Sequence, residues 1–263
     1  MKTLFQTLAV AFSMFSAIPM PKVDWNERAM RHVMAAFPLV GAAIGGGVIG
    51  WHYLSGWLGF GPILTAAGLL LLPVVITGGI HLDGFCDTVD ALASNEAPER
   101  RLQIMKDPNA GAFAVIWLSC YLLAFFALCV ELAGDLNAVF CMALGFVLSR
   151  ILSGFGVLRF ACAKQNGLAR TFSDAGAKKQ TEAMLLGLLF PTAAGLLWFG
   201  GVTGGLMLVS AGLIFWLYHR IAMKLFGGIT GDLAGWFLQL CEITTTAALV
   251  VGKTLFFGGM PLV

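Results

Sequence analysis

Three aspartates stand close together in an otherwise apolar chain, at Asp83, Asp87 and Asp90. Their spacing is i, i+4 and i+7, so on an α-helix with about 100° per residue they lie within roughly 60° of one another. The opposite face carries apolar residues, namely Leu82, Phe85, Val89 and Leu92. The stretch is therefore predicted to be an amphipathic helix that presents three carboxylates on one face.

Carboxylates this close repel one another unless a cation neutralises them. Oxygen ligands favour Mg²⁺, Mn²⁺ or Ca²⁺ over zinc or copper, and Mg²⁺ is usually held by one or two carboxylates together with substrate phosphates. The cluster therefore predicts a Mg²⁺ site that works on a phosphate-bearing substrate. The alternative is the solvated face of a loop helix, but no lysine is interleaved with the aspartates. His81, next to the cluster, is a candidate to orient an aspartate or act as a base, or is a simple hydrogen-bonding residue.

Two further polar motifs precede apolar stretches. Lys106 and Asp107 precede one of them, where Asp107 is either a fourth metal carboxylate or the cap of the next helix. Thr230, Gly231 and Asp232 close a glycine-rich turn before the last apolar stretch. Backbone N–H groups and the positive end of a helix there are predicted to bind phosphate, although Asp232 is also a candidate helix cap.

Arg150 and Glu242 lie within apolar stretches, about nine or ten residues from the nearer helix end. At 1.5 Å per residue this is a depth of roughly 14 Å. Charges inside a membrane are costly and normally paired. Arg150 and Glu242 are therefore predicted to pair or to line a polar cavity, with roles in substrate binding or in structure alone.

The elements that position these residues are predicted to be membrane helices. The chain of 263 residues is 59% hydrophobic and only 11% charged, whereas a soluble domain has about 25% charged residues. Most of its surface must therefore face lipid. It has no long basic run, which argues against nucleic acid as a partner. The six cysteines form no C-x-x-C pair and are interpreted as packing residues.

Seven stretches approach the roughly 20 residues needed to cross a bilayer. They are Val33–Leu54, Pro62–Ile80, Gly111–Glu131, Leu136–Phe160, Ala183–Gly200, Gly204–Leu225 and Leu233–Phe257. The predicted fold is an all-α, multi-pass membrane bundle with an apolar N-terminal segment, Thr3–Met20, in a single domain over residues 1–263. The prolines at 19 and 21 are predicted to end that segment.

Every second connecting loop is basic. Arg28 and Arg31 lie in the first such loop, and the third holds Lys164, Arg170, Lys178 and Lys179. The positive-inside rule places these loops, and the aspartate cluster with them, in the cytoplasm. The chain is therefore expected in the cell (inner) membrane with its active site facing the cytoplasm.

The motifs resemble one known family. The run G-G-I-H-L-D-G-F-C-D-T-V-D-A is followed by I-M-K-D-P-x-x-G and by G-G-I-T-G-D, and the first span carries F-P-L-V-G-A-x-I-G after an A-I-P-x-P. These sequences resemble the adenosylcobinamide-GDP ribazoletransferases, also called cobalamin synthases. The resemblance extends over most of the chain, and H-L-D-G-x-x-D-T-x-D is its most specific part.

This resemblance implies a late step of cobalamin biosynthesis. The family transfers the phosphocobinamide moiety of adenosylcobinamide-GDP to α-ribazole or its 5′-phosphate, releases GMP and requires Mg²⁺. By similarity, Asp83, Asp87 and Asp90 would carry the metal, and Asp107 and Asp232 match further acidic positions. Asp83, Asp87 and His81 are then the catalytic candidates. Whether the chain forms a homo-oligomer stays open.

Other classes of protein share some of these features. CDP-alcohol phosphotransferases and prenyltransferases also combine membrane spans with aspartate clusters, but this chain lacks the D-G-x-x-A-R run of the former. A transporter is the alternative from a different class, with Arg150, Glu242 and the glycines along its path. A transporter would more naturally place its carboxylates at mid-membrane.

Overall fold

A computed structural model describes residues 2–163, 177–258 and 262 of the chain. Helices make up nearly all the regular structure in these ranges. In chain order they are α1 (Lys2–Phe15), α2 (Glu27–Met30), α3 (Val33–Trp57), α4 (Pro62–Thr77), α5 (Ile80–Ala93), α6 (Pro98–Ile104), α7 (Ala112–Leu132), α8 (Leu136–Arg159), α9 (Lys178–Gly200), α10 (Val202–Phe226) and α11 (Gly231–Phe257).

Six of the helices in the described ranges are long and apolar enough to cross a membrane, namely α3 and α7 to α11. The bent pair α4 and α5 brings the number of candidate spans to seven if it counts as one. Many large apolar side chains on these helices are exposed, including Trp57, Phe190 and Trp198. A surface of this kind requires lipid as its solvent, so the predicted multi-pass helical fold is confirmed.

The second predicted span is wrong at its end, because α4 stops at Thr77 rather than Ile80. Gly78 and Gly79 follow with positive φ values of 65° and 77°, a left-handed backbone that other residues rarely adopt. The chain turns by 91° between α4 and α5. Ile80 consequently begins the aspartate helix, which lies across the direction of α4.

The N-terminal apolar segment is shorter than predicted. Helix α1 ends at Phe15, before the prolines that were expected to end it. The hydroxyl of Ser16 donates to the carbonyl of Phe12, and the backbone N–H of Ala17 donates to the carbonyl of Ile76 at 2.8 Å. The chain leaves α1 at this point to satisfy a terminal carbonyl of α4. With 14 residues, α1 is shorter than the roughly 20 needed for a span.

Helix α8 is the most enclosed of the candidate spans and packs against α3, α9 and α11. Two ion pairs tie it to α11 at two levels. Arg150 pairs with Glu242, and Asp135, the residue that caps α8, pairs with Lys253 at 2.9 Å. The Asp135 carboxylate also accepts from the backbone N–H of Leu262 at 2.8 Å. These buried contacts make the α8–α11 pair the frame on which the other elements are placed.

Candidate active site

Helix α5 presents its carboxylates as the residue spacing predicts. Phe85 and Val89 are buried, whereas Asp83 is exposed and Asp87 and Asp90 are half-buried. The helix packs against α11 and α7, so its apolar face is covered by two neighbours. The three aspartates therefore share the open face of an anchored helix.

The first turn of α11 lies directly against α5. A Cβ atom placed on Gly84 would be only 2.8 Å from the backbone oxygen of Asp232, so only glycine permits this approach. The hydroxyl of Thr230 accepts from the backbone N–H of Leu233 at 3.1 Å and caps the helix. The alternative reading of Asp232 as the cap is therefore wrong. Asp232 instead joins the carboxylates of α5.

Asp90 is bound to the start of α7. Its two carboxylate oxygens accept from the backbone N–H groups of Gly111 at 2.6 Å and Ala114 at 2.9 Å. A carboxylate in this place satisfies the free N–H groups of a helix N-terminus and interacts favourably with its dipole. Asp90 thus caps α7 from a neighbouring helix and fixes the position of α5 relative to α7.

Asp107 does not cap α7, since Gly111 occupies the capping position. It lies in the exposed loop before that helix, as does Lys106. The backbone and side-chain nitrogens of Asn109 both donate to its carboxylate at 2.9 Å. These hydrogen bonds lower the pKa of Asp107 and keep it ionised.

A first cavity of about 160 Å³ opens on one side of the carboxylates. Asp83, Asp232 and His81 line it, together with Gly231 and mostly apolar side chains from α1, α3, α8 and α11. His81 is buried, and its Nε2 has no hydrogen-bond partner among the residues described. Burial first, and the Arg150 guanidinium second, hold the pKa of His81 well below its ordinary value, so the imidazole is neutral.

A second cavity of about 410 Å³ borders other carboxylates of the same helix. Asp87 and Asp90 line it from α5, and Asp107 and Asn109 line it from the loop before α7. Helix α5 therefore contributes to a mostly apolar cavity and to a second one with more polar side chains. Both cavities border the same row of carboxylates.

The electrostatics of Asp87 reflect its crowded position. Burial, followed by the carboxylates of Asp83, Asp232 and Asp90, raises its pKa to about 6. Such repulsion is relieved by a bound cation, and the donors are the hard oxygen ligands that Mg²⁺ prefers. The residues present thus fit a divalent cation that completes its coordination with water and substrate phosphates.

The four predicted metal ligands do not form one coordination shell by themselves. In the described part of the chain, no three His, Cys, Asp or Glu side chains are arranged to hold one metal ion. The physical reason is that Asp90 is engaged by α7 and that Asp107 belongs to a separate loop. That Asp83, Asp87, Asp90 and Asp107 bind metal stays a prediction.

Arg150 and Glu242 pair as predicted. Their side chains are 1% and 3% exposed, and the arginine also donates to the carbonyl of Phe146 and the hydroxyl of Ser149. Both line a cavity of only about 10 Å³ that neither Asp83 nor Asp87 borders. The structure therefore separates this pair from the carboxylate face, and its predicted part in substrate binding has no support in this placement.

Three features were missed in the sequence. They are the contribution of α1 to the first cavity, the capping of α7 by Asp90 and the Asp135–Lys253 ion pair. A lone charge near the end of an apolar stretch, as at Lys253, is a usable signal for the last of these. The basic residues Lys164 and Arg170 lie outside the described residues, so their predicted role is not assessed.

The fold and the site together define a class of protein. Helices that require lipid carry a row of carboxylates between two cavities, which is an arrangement suited to a membrane-embedded transferase acting on a phosphate group. The sequence comparisons are specific within this class. The family model described as cobalamin-5-phosphate synthase matches residues 7–250, and the chain belongs to this family.

Curated relatives agree with this assignment. An adenosylcobinamide-GDP ribazoletransferase of Lachnoclostridium phytofermentans is 41% identical over 96% of each chain. One from Clostridium perfringens is 34% identical over 93% of this chain and 97% of its own, and one from Desulfitobacterium hafniense is 35% identical over 90% and 93%. No solved structure matches the chain. The family resemblance is confirmed, and the chain is a multi-span transferase of cobalamin biosynthesis.

Proposed function

We propose that the chain transfers the phosphocobinamide moiety of adenosylcobinamide-GDP to α-ribazole or its 5′-phosphate and releases GMP. The observation that carries this proposal is the row of carboxylates between two cavities, because a transferase must hold a donor and an acceptor on either side of its reacting centre. Family membership and the names of the relatives supply the substrates. A CDP-alcohol transferase and a transporter lack this support.

The bond changes follow from the substrates. A ribose hydroxyl oxygen forms a bond to the phosphorus that carries cobinamide, and the bond from that phosphorus to the bridging oxygen of GMP breaks. Because the 5′-phosphate also serves as acceptor, the attacking hydroxyl is a secondary one. Its proton passes to a carboxylate of the cluster, a group within the usual repertoire of general bases. The pKa of His81 lies well below its ordinary value, so the imidazole is a weak base. It is therefore better suited to hydrogen bonding than to accepting that proton.

Asp83 and Asp87 are the proposed ligands of Mg²⁺, with Asp232 beside them. Asp90 is better placed to hold the carboxylate helix on α7, and Asp107 to face the donor across the polar cavity. When bound, a divalent cation neutralises charge on the pyrophosphate as GMP departs. The Gly231 end of α11 and Lys106 are proposed to contact phosphate.

The active site is proposed to face the cytoplasm. The loops before α3, α7 and α9 contain basic residues, and the short turn before α11 is flanked by Arg220 and Lys224 at the end of α10, whereas the turns that follow α3, α7 and α9 contain none. The positive-inside rule then assigns the carboxylate side to the cytoplasm. Nucleotide substrates are available on that side.

The direct test is an activity measurement on the purified full-length chain in lipid nanodiscs. Adenosylcobinamide-GDP, α-ribazole and Mg²⁺ are supplied together, and GMP and the corrinoid product are separated by chromatography. We expect one GMP for each corrinoid product formed.

Omission of each substrate in turn, and replacement of Mg²⁺ by EDTA, are the matched controls. Folded protein that forms no GMP with all components present would contradict the proposal. GMP release without α-ribazole would indicate hydrolysis instead of transfer.

A further inference from the structure

The first cavity has walls that the phosphate chemistry does not require. Phe15 of α1 and Phe37 of α3 lie with their ring centroids 4.3 Å apart, and the ring of His81 meets Phe37 edge-on at 5.9 Å. Met34 and Leu238 complete the apolar wall. An apolar aromatic cavity with few polar groups is typical of a site for a flat, mostly apolar ligand.

The size of this cavity indicates which of the two substrates it takes. Its volume of about 160 Å³ is similar to that of a buried apolar cavity of about 150 Å³ that binds benzene. A cavity of this size takes an aromatic ring system but cannot enclose a corrin macrocycle. A guanine base is more polar and would leave several hydrogen-bonding groups against apolar side chains, which is unfavourable.

The polar groups at the cavity are grouped with the carboxylates. Asp83 and Asp232 border it, so a ligand seated there reaches the reacting centre. His81 also borders it and is 5% exposed. Its imidazole adds a polar group to the edge of a mostly apolar wall.

We propose that this cavity is the acceptor subsite and that it takes the dimethylbenzimidazole base of α-ribazole. The base lies among Phe15, Phe37 and Met34, and His81 hydrogen-bonds to the nucleoside. The ribose then lies toward Asp83 and Asp232. This inference rests on the proposed function and adds where the acceptor binds and which side chains select its base.

The test narrows the cavity without changing charge. Ala234 lines the first cavity on α11, and Ala93 lines the second at the end of α5. Ala234→Leu and Ala93→Leu are therefore the same substitution in the two cavities. Binding of α-ribazole alone to each full-length variant in nanodiscs is measured by isothermal titration calorimetry, and KM values for both substrates come from GMP release.

We expect Ala234→Leu to raise the Kd and the KM for α-ribazole by about tenfold, or about 1.4 kcal/mol, because the larger side chain overfills the site. The KM for adenosylcobinamide-GDP should stay within about twofold of the wild-type value. Benzimidazole riboside lacks the two methyl groups, so it should lose less affinity than α-ribazole. Ala93→Leu should leave the Kd for α-ribazole unchanged.

Phe37→Leu provides the opposite change, because it enlarges the cavity. It should improve binding of a riboside with a larger naphthimidazole base relative to α-ribazole. This ratio is internal to one variant and remains interpretable if Ala234→Leu does not fold.

An unchanged Kd for α-ribazole in Ala234→Leu overturns the inference, as does a larger loss in Ala93→Leu than in Ala234→Leu. Normal GMP release by the wild-type chain alongside either result leaves the proposed function intact. The opposite result is also informative. If Ala234→Leu blocks binding of α-ribazole but the wild-type chain releases no GMP with both substrates, the proposed function is overturned and the subsite stands.

Discussion

Charged side chains occupy two very different settings in this molecule. Between α8 and α11, Arg150 lies against Glu242 and Asp135 against Lys253, each acid beside a base. On the open face of α5, Asp87 lies among other carboxylates, which raise its pKa to about 6. The first arrangement stabilises helix packing, whereas the second stores repulsion that a cation and a substrate can relieve.

The comparison shows which charges belong to the scaffold. A buried acid paired with a base is largely neutralised where it stands, so it has little need of a ligand. Carboxylates crowded on one face cost free energy in the absence of a cation, and such a cost is normally found at functional sites. The following experiments test this division, from the largest expected effect to the smallest.

Removing one member of the buried pair should have the largest effect. Arg150→Met leaves the Glu242 carboxylate buried without its partner, so we expect a loss of about 3–5 kcal/mol in the free energy of unfolding. Arg159→Met is the matched control, because Arg159 pairs with Glu182 while its side chain is 66% exposed. Its cost should be far smaller, because water and salt screen an exposed ion pair. Denaturant unfolding in detergent measures both, and equal costs would refute the division.

Asp83→Asn should act on turnover rather than on folding. It removes one proposed cation ligand from the exposed end of the carboxylate face, so we expect GMP release to fall by about 10²–10³-fold. Expression, membrane insertion and thermal unfolding in EDTA should match the wild type. Normal turnover in this variant would show that Asp83 is not part of the metal site.

Mg²⁺ itself should stabilise the wild-type chain. A cation that binds only the folded state adds about 2.7 kcal/mol at a concentration 100 times its Kd. Removal by EDTA should reverse this shift in thermal unfolding, and Arg159→Met should respond as the wild type does. A shift of equal size in Asp83→Asn would place the cation elsewhere.

Asp87→Asn should give the smallest effect, and its size should depend on pH. A carboxyl group whose pKa is raised to about 6 in the folded state destabilises the metal-free fold above that pH, and the penalty decreases as pH falls from 6 to the unfolded pKa of about 4. After allowance for solvent screening, we expect Asp87→Asn to stabilise the EDTA-treated chain by up to about 1 kcal/mol at pH 8. The gain should shrink as pH falls below 6 and vanish only below about pH 4, where Asp87 is protonated in the folded and the unfolded chain alike. A gain independent of pH would contradict this origin.

Much of the molecule is encoded in local pattern. Apolar runs of about 20 residues predicted the membrane helices, and the i, i+4, i+7 spacing of Asp83, Asp87 and Asp90 predicted a carboxylate face. The pairing of Arg150 with Glu242 followed from the cost of an isolated charge in lipid. Each of these inferences needs only a short stretch of chain or a single energetic rule.

The rest depends on which elements meet. The sequence around Asp90 does not indicate that α7 will begin beside it, so its capping role required the three-dimensional arrangement. The contact between Phe15 and Phe37 also required the three-dimensional arrangement. The two residues lie on separate helices, and together they form a wall of the first cavity. The apolar run that predicted a span to Ile80 did not indicate that the chain would bend by 91° at Gly78 and Gly79.

The two ion pairs between α8 and α11 also restrict motion. Asp135 precedes Arg150 along the chain, whereas their partners Lys253 and Glu242 come in the reverse order. The two helices therefore run antiparallel with one fixed register. A slip of one helical turn, about 5.4 Å, would separate both pairs at once. Shear between these two helices is therefore blocked, and they form a rigid strut through the bundle.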